Sequence, residues 1–258
     1  MSLPPVLYHY FEHALPYART LALQEKLYQI QLASRRTGSH SDILLLLQHR
    51  PVYTAGRRQT EDEVSDERSR LTTIGADFVT TGRGGQLTYH GPGQLVGYPL
   101  LDLARTKPPL GIRDYICKIQ RTIQLHLRSA HGIQHVPSDN TGVFLSPTAK
   151  IASIGVQVRH RLTTHGFALN VTPEPRAWFD ETVACGLADV RAACIADAAG
   201  KNVTVPDVVP DIVEVFGRTF DRDMEKLRLQ SAGEIGEAIA GLEEEARAAG
   251  DCLPKPLL

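Results

Sequence analysis

Residues Arg83 to Pro99 read Arg-Gly-Gly-Gln-Leu-Thr-Tyr-His-Gly-Pro-Gly-Gln-Leu-Val-Gly-Tyr-Pro, with glycines at 84, 85, 91, 93 and 97. Gly84-Gly85 and Gly91-Pro92-Gly93 break the backbone at two points. Gln86 to His90 and Gln94 to Tyr98 read as short strands between and after those breaks. Glycine is used where the backbone takes φ > 0 or comes close to something. Two such places here frame a cation (Arg83), an aromatic ring (Tyr89) and a titratable ring (His90). That is the pattern of a surface laid against a ligand. An ordinary glycine-rich hairpin is the competing reading.

Working outward, Ile43 to Leu47 is an unbroken apolar run, as expected of a strand covered on both faces. Ala14 to Ser34 has helical periodicity, with Leu23, Leu27 and Ile30 on one side. Gln59 to Arg70 is charged, has Val64 as its single apolar residue, and reads as a solvated loop or short exposed helix. Asp77 to Thr81 reads as a strand feeding the glycine stretch. Downstream, Ile112, Ile116, Ile119, Ile123 and Leu127 form one helical stripe that Gly132 closes. Cys117 lies beside that stripe and reads as packing.

Ala149 to Arg159 and Arg161 to Val171 read as a hairpin turning between His160 and Arg161. Gly155 then faces Gly166 and Ser153 faces Ala168, four small residues on one face. A groove for a slender chain, such as an acyl or lysyl chain, and a closely packed helix are equally compatible with that face. After Lys201 the pattern turns helical. Thr204 with Asp207 and Ser231 with Glu234 have capping-box spacing, and Ile235, Ile239 and Leu242 form a last stripe. The expected organisation is a catalytic domain over 1–200, a helical appendage over 201–250 and a frayed tail over 251–258.

The chain has 258 residues and a formal net charge of -1, which argues against a bulk nucleic-acid binder. No apolar run approaches the roughly 20 residues that span a bilayer. No secretory signal and no Arg- and Ser-rich transit peptide is visible at the N-terminus. The spacings of Cys117, Cys185, Cys194 and Cys252 fit neither a zinc site nor a disulfide framework. There is no P-loop, no HExxH and no G-x-S-x-G elbow, and Val96 breaks the dinucleotide fingerprint begun by Gly91 and Gly93. His126, His131 and His135 read as exposed or capping histidines ahead of a metal site. Cys185, between Ala184 and Gly186, is the best nucleophile candidate. Lys150 opens the apolar strand Ile151 to Val158, and a lysine there can serve as cation or base.

At this point the chain resembles a known family, the lipoyl(octanoyl) transferases. The match runs from His49-Arg50-Pro51-Val52-Tyr53-Thr54-Ala55-Gly56-Arg57-Arg58 through Arg83 to Gln94. It continues with Lys150-Ile151-Ala152-Ser153-Ile154-Gly155-Val156, His165-Gly166-Phe167-Ala168-Leu169-Asn170 and Ala184-Cys185-Gly186. Several separated motifs in one order carry the likeness. It departs from the family at Ala184, where many members have proline.

The resemblance implies an α/β (α+β) fold: a mixed, largely antiparallel sheet flanked by helices, as in biotin and lipoate protein ligases. It implies transfer of an octanoyl group from octanoyl-acyl carrier protein to a lysine of lipoyl domains. Those domains belong to 2-oxoacid dehydrogenase complexes and the glycine cleavage H protein. It makes Cys185 the acyl-thioester nucleophile and Lys150 the residue that lowers its pKa and acts as base. It assigns substrate contact to Arg83, Gly84, Gly85, Gln86, Leu87, Thr88, Tyr89, His90, Ser153, Ile154, Gly155, Gly166, Phe167 and Ala168. No cofactor, metal, nucleic acid or membrane is implied. The compartment would be the mitochondrial matrix for a eukaryotic source and the cytoplasm for a bacterial one. An ATP-dependent lipoate or biotin ligase, or a non-catalytic scaffold for carrier or lipoyl domains, is the alternative.

Overall fold

In a computed structural model of the chain, described over residues 3–182 and 189–250, the apolar run becomes strand β2 (Asp42–Leu47), buried at every residue. Its alternation separates two cores. Leu44 and Leu46 enter one, Ile43, Leu45 and Leu47 the other. Strand β1 (Val6–Tyr10) lies parallel to β2, and β6 (Gln94–Leu100) lies antiparallel on its other side, with Leu46 opposite Gly97. Strands β9 (Leu162–Asn170), β8 (Ala149–Arg159) and β10 (Arg191–Ala192) extend the sheet from β6, and β11 (Met224–Lys226) closes it beyond β1. Strand β7 (Val143–Ser146) also pairs with β8. The pairings of β10 with β8 and of β1 with β2 and β11 are parallel; the rest are antiparallel. A mixed, largely antiparallel sheet flanked by helices is therefore what the chain forms.

Helices α1 (Tyr17–Ser34) and α7 (Gly233–Ala249) cover the odd face of β2 through Leu23, Leu27, Ile239 and Leu242. Helices α3 (Ile112–His131) and α6 (Val205–Phe220) cover the even face through Ile119, Ile123, Ile212 and Phe216. Helix α1 begins at Tyr17 and not at Ala14, because Pro16 holds an extended conformation ahead of it. Gly132 ends α3 in the left-handed region (φ 68°), its N–H reaching Arg128 O.

The charged stretch after Arg58 is a full helix, α2 (Glu61–Thr73). Thr60 and Glu63 cap it reciprocally, Glu61 and Asp62 suit its N-terminal dipole, and Val64 and Leu71 bury its inner side. The Thr204–Asp207 capping box forms. The Ser231–Glu234 one does not: Ser231 ends a 3-10 turn, its hydroxyl donates to Arg228 O, and Ala232 is the residue before α7.

A second sheet positions the glycine stretch. Strand β3 (Val52–Ala55) runs parallel to β4 (Asp77–Thr80) and antiparallel to β5 (Thr88–His90). The β8–β9 hairpin has the register read from sequence, Gly155 opposite Gly166 and Ser153 opposite Ala168. The two residues at its tip, His160 and Arg161, both take positive φ. The short helices α4 (Pro175–Asp180) and α5 (Ile195–Ala199) stand on either side of residues 183–188. No described helix is long and apolar enough to cross a membrane.

Candidate functional site

The small face of the hairpin is approached closely by the Arg83–Gly85 loop. Gly84 N–H donates to Val156 O at 3.0 Å. A Cβ on Gly155 would lie 3.0 Å from Gly84 O, and one on Gly166 only 2.2 Å from Gly97 O. Small residues here thus admit a close backbone, and they also leave a groove. Arg83, Gly84, Gly85, Thr88 and His90 line it on one side, and Ser153 to Gly155 with Gly166 to Ala168 on the other. Two of the family's separated motifs therefore meet across one groove. Gln86, Leu87 and Tyr89 do not line it. Alternation along β5 turns Tyr89 away, where it stacks on Trp178 (5.3 Å between ring centres) in an apolar cluster with Leu87 and Tyr53. Gln86 acts through its carbonyl, which accepts from Arg83 at 2.9 Å.

Arg83 is buried and held open by neutral oxygens. Nη2 donates to Thr54 Oγ1 (2.7 Å) and Gln86 O, Nε to Thr54 Oγ1 and Nη1 to Gly84 O. Its charge reaches the groove's far end, where Tyr17, Tyr98, His49, His90 and His165 crowd together. Burial, and then Arg83, hold His165 down at about 3. Burial lowers His49 to about 4 and raises Tyr17 to about 12. Burial, then His49 and Arg83, keeps His90 well below the usual range. All three rings are thus neutral near pH 7.

Their tautomers follow from their partners. His49 Nδ1 faces Leu15 O at 3.1 Å, an acceptor only, so Nδ1 carries the proton and Tyr98 O–H donates to Nε2 at 2.6 Å. A longer chain fixes His90. Asn170 Nδ2 donates to Ala193 O (3.0 Å), Gln94 Nε2 to Asn170 Oδ1 (2.9 Å), and His90 Nδ1 to Gln94 Oε1 (2.8 Å). His90 therefore presents a lone pair at Nε2. His165 holds a left-handed φ of 58° inside β9, a strained geometry for a residue with a Cβ, and its N–H leaves the sheet to bond Gln24 Oε1 at 2.7 Å.

Lys150 sits where the β7–β8 pairing slips: Val143 faces Ala152, but Phe144 faces Lys150. Strict alternation would place Lys150 opposite Ser153, yet both line one cavity with Asn170, Asp180 and Arg191. Lys150 Nζ lies 5.5 Å from the Phe144 ring centre, and Lys150 O accepts from Ala193 N–H. Cys185 lies outside the described residues. Cys194 is buried and its thiol is pushed up by burial. Cys117 is exposed on α3, correcting its reading as packing.

His126 is buried against Asp211 and His131, with Nε2 atoms 3.3 Å apart, so it is neither exposed nor capping. No metal-binding group of three or more His, Cys, Asp or Glu occurs among the described residues. Tyr17 escaped the sequence reading because it joins the site from α1 without a local motif, whereas His49 and Tyr98 stood inside quoted stretches and only the fold brings their rings to the site. His165 stood inside a quoted motif, and only the fold shows its ring turned into the groove.

The fold is that of a lipoate protein ligase. The bipartite enzyme of Thermoplasma acidophilum superposes with a TM-score of 0.62, covering 95% of this chain and 92% of its own at 17% identity. The family model described as the lipoyl protein ligase A/B catalytic domain matches residues 16–217. An octanoyltransferase of Koribacter versatilis is 37% identical over 78% of this chain and 80% of its own. The mitochondrial octanoyl-acyl-carrier-protein:protein N-octanoyltransferase of Danio rerio is 35% identical over 80% and 89%. The chain belongs to the octanoyltransferase family within that ligase A/B class, as its motifs imply, and is an acyltransferase.

Proposed function

We propose that this enzyme moves an octanoyl group from octanoyl-acyl carrier protein to a lysine of lipoyl domains, through a thioester on Cys185. The observation that carries the reading is the groove itself, slender, floored by small residues and built from family motifs far apart in sequence. The names of the relatives supply the donor and the transferred group. Lys150 helps Cys185 to the thiolate, which attacks the donor thioester carbonyl and expels the carrier thiol. The amine of the acceptor lysine then attacks the Cys185 thioester. An amide forms, the thiolate is regained, and Lys150 takes the amine proton. Support for pairing these residues comes from both flanks of residues 183–188: Asp180 and Arg191 line the same cavity as Lys150, and Ala192 pairs with it. A thioester is already activated, so this chemistry proceeds without ATP.

Intact-protein mass spectrometry after incubation with octanoyl-acyl carrier protein tests this. The expected gain is one octanoyl group, removed by hydroxylamine and absent in Cys185→Ser. Lys150→Ala should slow acylation by about 100-fold or more, the usual scale for losing a positioned acid–base group. No gain, together with ATP-dependent modification of a lipoyl domain, would instead mark a ligase.

A further inference from the structure

A wider trough adjoins the inner groove and shares four lining residues with it, Gly84, Gly85, Ile154 and Gly155. Arg57, Arg58 and Lys150 line the trough, with Ile112 at its edge. Arg57 and Arg58 occupy the middle of the turn Gly56–Gln59, closed by Gln59 N–H to Gly56 O at 3.1 Å. That turn is fixed to the groove's own loop. Arg57 N–H donates to Arg83 O at 3.0 Å, and a Cβ on Gly56 would meet Gly85 O at 2.3 Å.

Both arginines are exposed, and neither forms an ion pair among the described residues. Arg35, equally basic in sequence, is instead tied to Asp102. Ile112 begins the α3 stripe, yet is 51% exposed, the one large apolar side chain left so among the described residues. Two guanidinium groups on a turn fixed to the groove's loop, with no ion pair among the described residues, fit a phosphate group.

We propose that Arg57 and Arg58 bind the phosphodiester of the acyl donor's prosthetic arm, which lies along this trough with its thioester beside Lys150 and its acyl chain in the inner groove. This rests on the octanoyl-transfer reading. A pantetheine arm passes from phosphate to sulfur, so a donor seated this way presents its negative charge at the mouth and its acyl chain inside. The apolar Ile112 edge meets the body of the carrier.

The test measures acyl-enzyme formation from three donors: octanoyl-acyl carrier protein, octanoyl-phosphopantetheine and octanoyl-pantetheine. Wild type is compared with Arg57→Ala/Arg58→Ala and with Arg57→Lys/Arg58→Lys. The alanine pair should raise KM about 10- to 100-fold for the two phosphorylated donors, the scale of one or two lost charge-assisted contacts. Octanoyl-pantetheine should be unaffected, the lysine pair should recover part of the loss, and salt should narrow the gap.

An equal loss with octanoyl-pantetheine would show structural damage and overturn the assignment. A loss with the carrier protein alone would place the arginines against the carrier surface and not the arm. Unchanged acylation with slower transfer to a lipoyl domain would give the face to the acceptor. If no donor acylates wild type, the octanoyl-transfer reading itself falls, and this assignment with it.

Discussion

Single hydrogen bonds decide what the groove presents to a ligand. The chain Ala193 O, Asn170, Gln94, His90 runs in one direction because a carbonyl can only accept. His90 therefore stays an acceptor at Nε2 for as long as Gln94 stays in place. Gln94→Ala should release that tautomer and leave buried polar groups unpaired, at about 1–3 kcal/mol each. Long-range 1H–15N spectra of the ring and the thermal midpoint would read both effects; an unchanged ring tautomer would refute the relay. Gln94 and Asn170 both lay inside motifs visible in the sequence. Their partnership did not, because Gln94 meets Asn170 only when β6 and β9 pair in the observed register. Tyr89 shows the opposite limit: its neighbours marked it as ligand-facing, and the alternation of a three-residue strand turned it into an aromatic cluster.

Among the elements, the β8–β9 hairpin was legible down to its register, since glycines and small residues leave few pairings that bury the rest. What those small residues accommodate was not legible. It depends on β6 and the Arg83–Gly85 loop, which arrive from other parts of the chain. Gly166→Ala is expected to force Gly97 O or Pro99 aside, costing about 1–3 kcal/mol by overpacking and blocking acylation more than folding. Denaturant midpoints set beside the acylation rate would show this, and full activity would mean that the strands move apart freely. Helix α2 was under-read for a simple reason. Its inward side needs just Val64 and Leu71, and its stability leans on the Thr60–Glu63 cap and a helix dipole served by acids.

For the molecule as a whole, the buried histidines impose an acid limit. His49 and His165 are neutral when folded, with values of about 4 and 3, and His90 lies well below its usual range. An unfolded chain binds protons on all three below about pH 6.5. Stability is thus complete above that pH and declines as pH falls towards 4, because the unfolded state binds more protons. The slope is about 1.4 kcal/mol per pH unit for each ring, so about 4 for the three. Thermal midpoints between pH 7 and 4 should fall accordingly, and His49→Gln should flatten the slope by one ring's share, about 1.4 kcal/mol per pH unit; a flat profile would contradict neutral burial. The sheet order carries a further consequence. Strand β1 is flanked by β2 and by β11, and the buried carboxylate of Asp42 is bonded by Arg222, 180 positions later. On a ribosome, the strands that form the groove emerge while the opposite edge of their sheet still awaits its last strand. The nascent chain must therefore carry a bare β1 edge, with the Asp42 carboxylate matched by Arg105 and not yet by Arg222, through most of its synthesis. Any factor that guards this protein before release has that edge to shield.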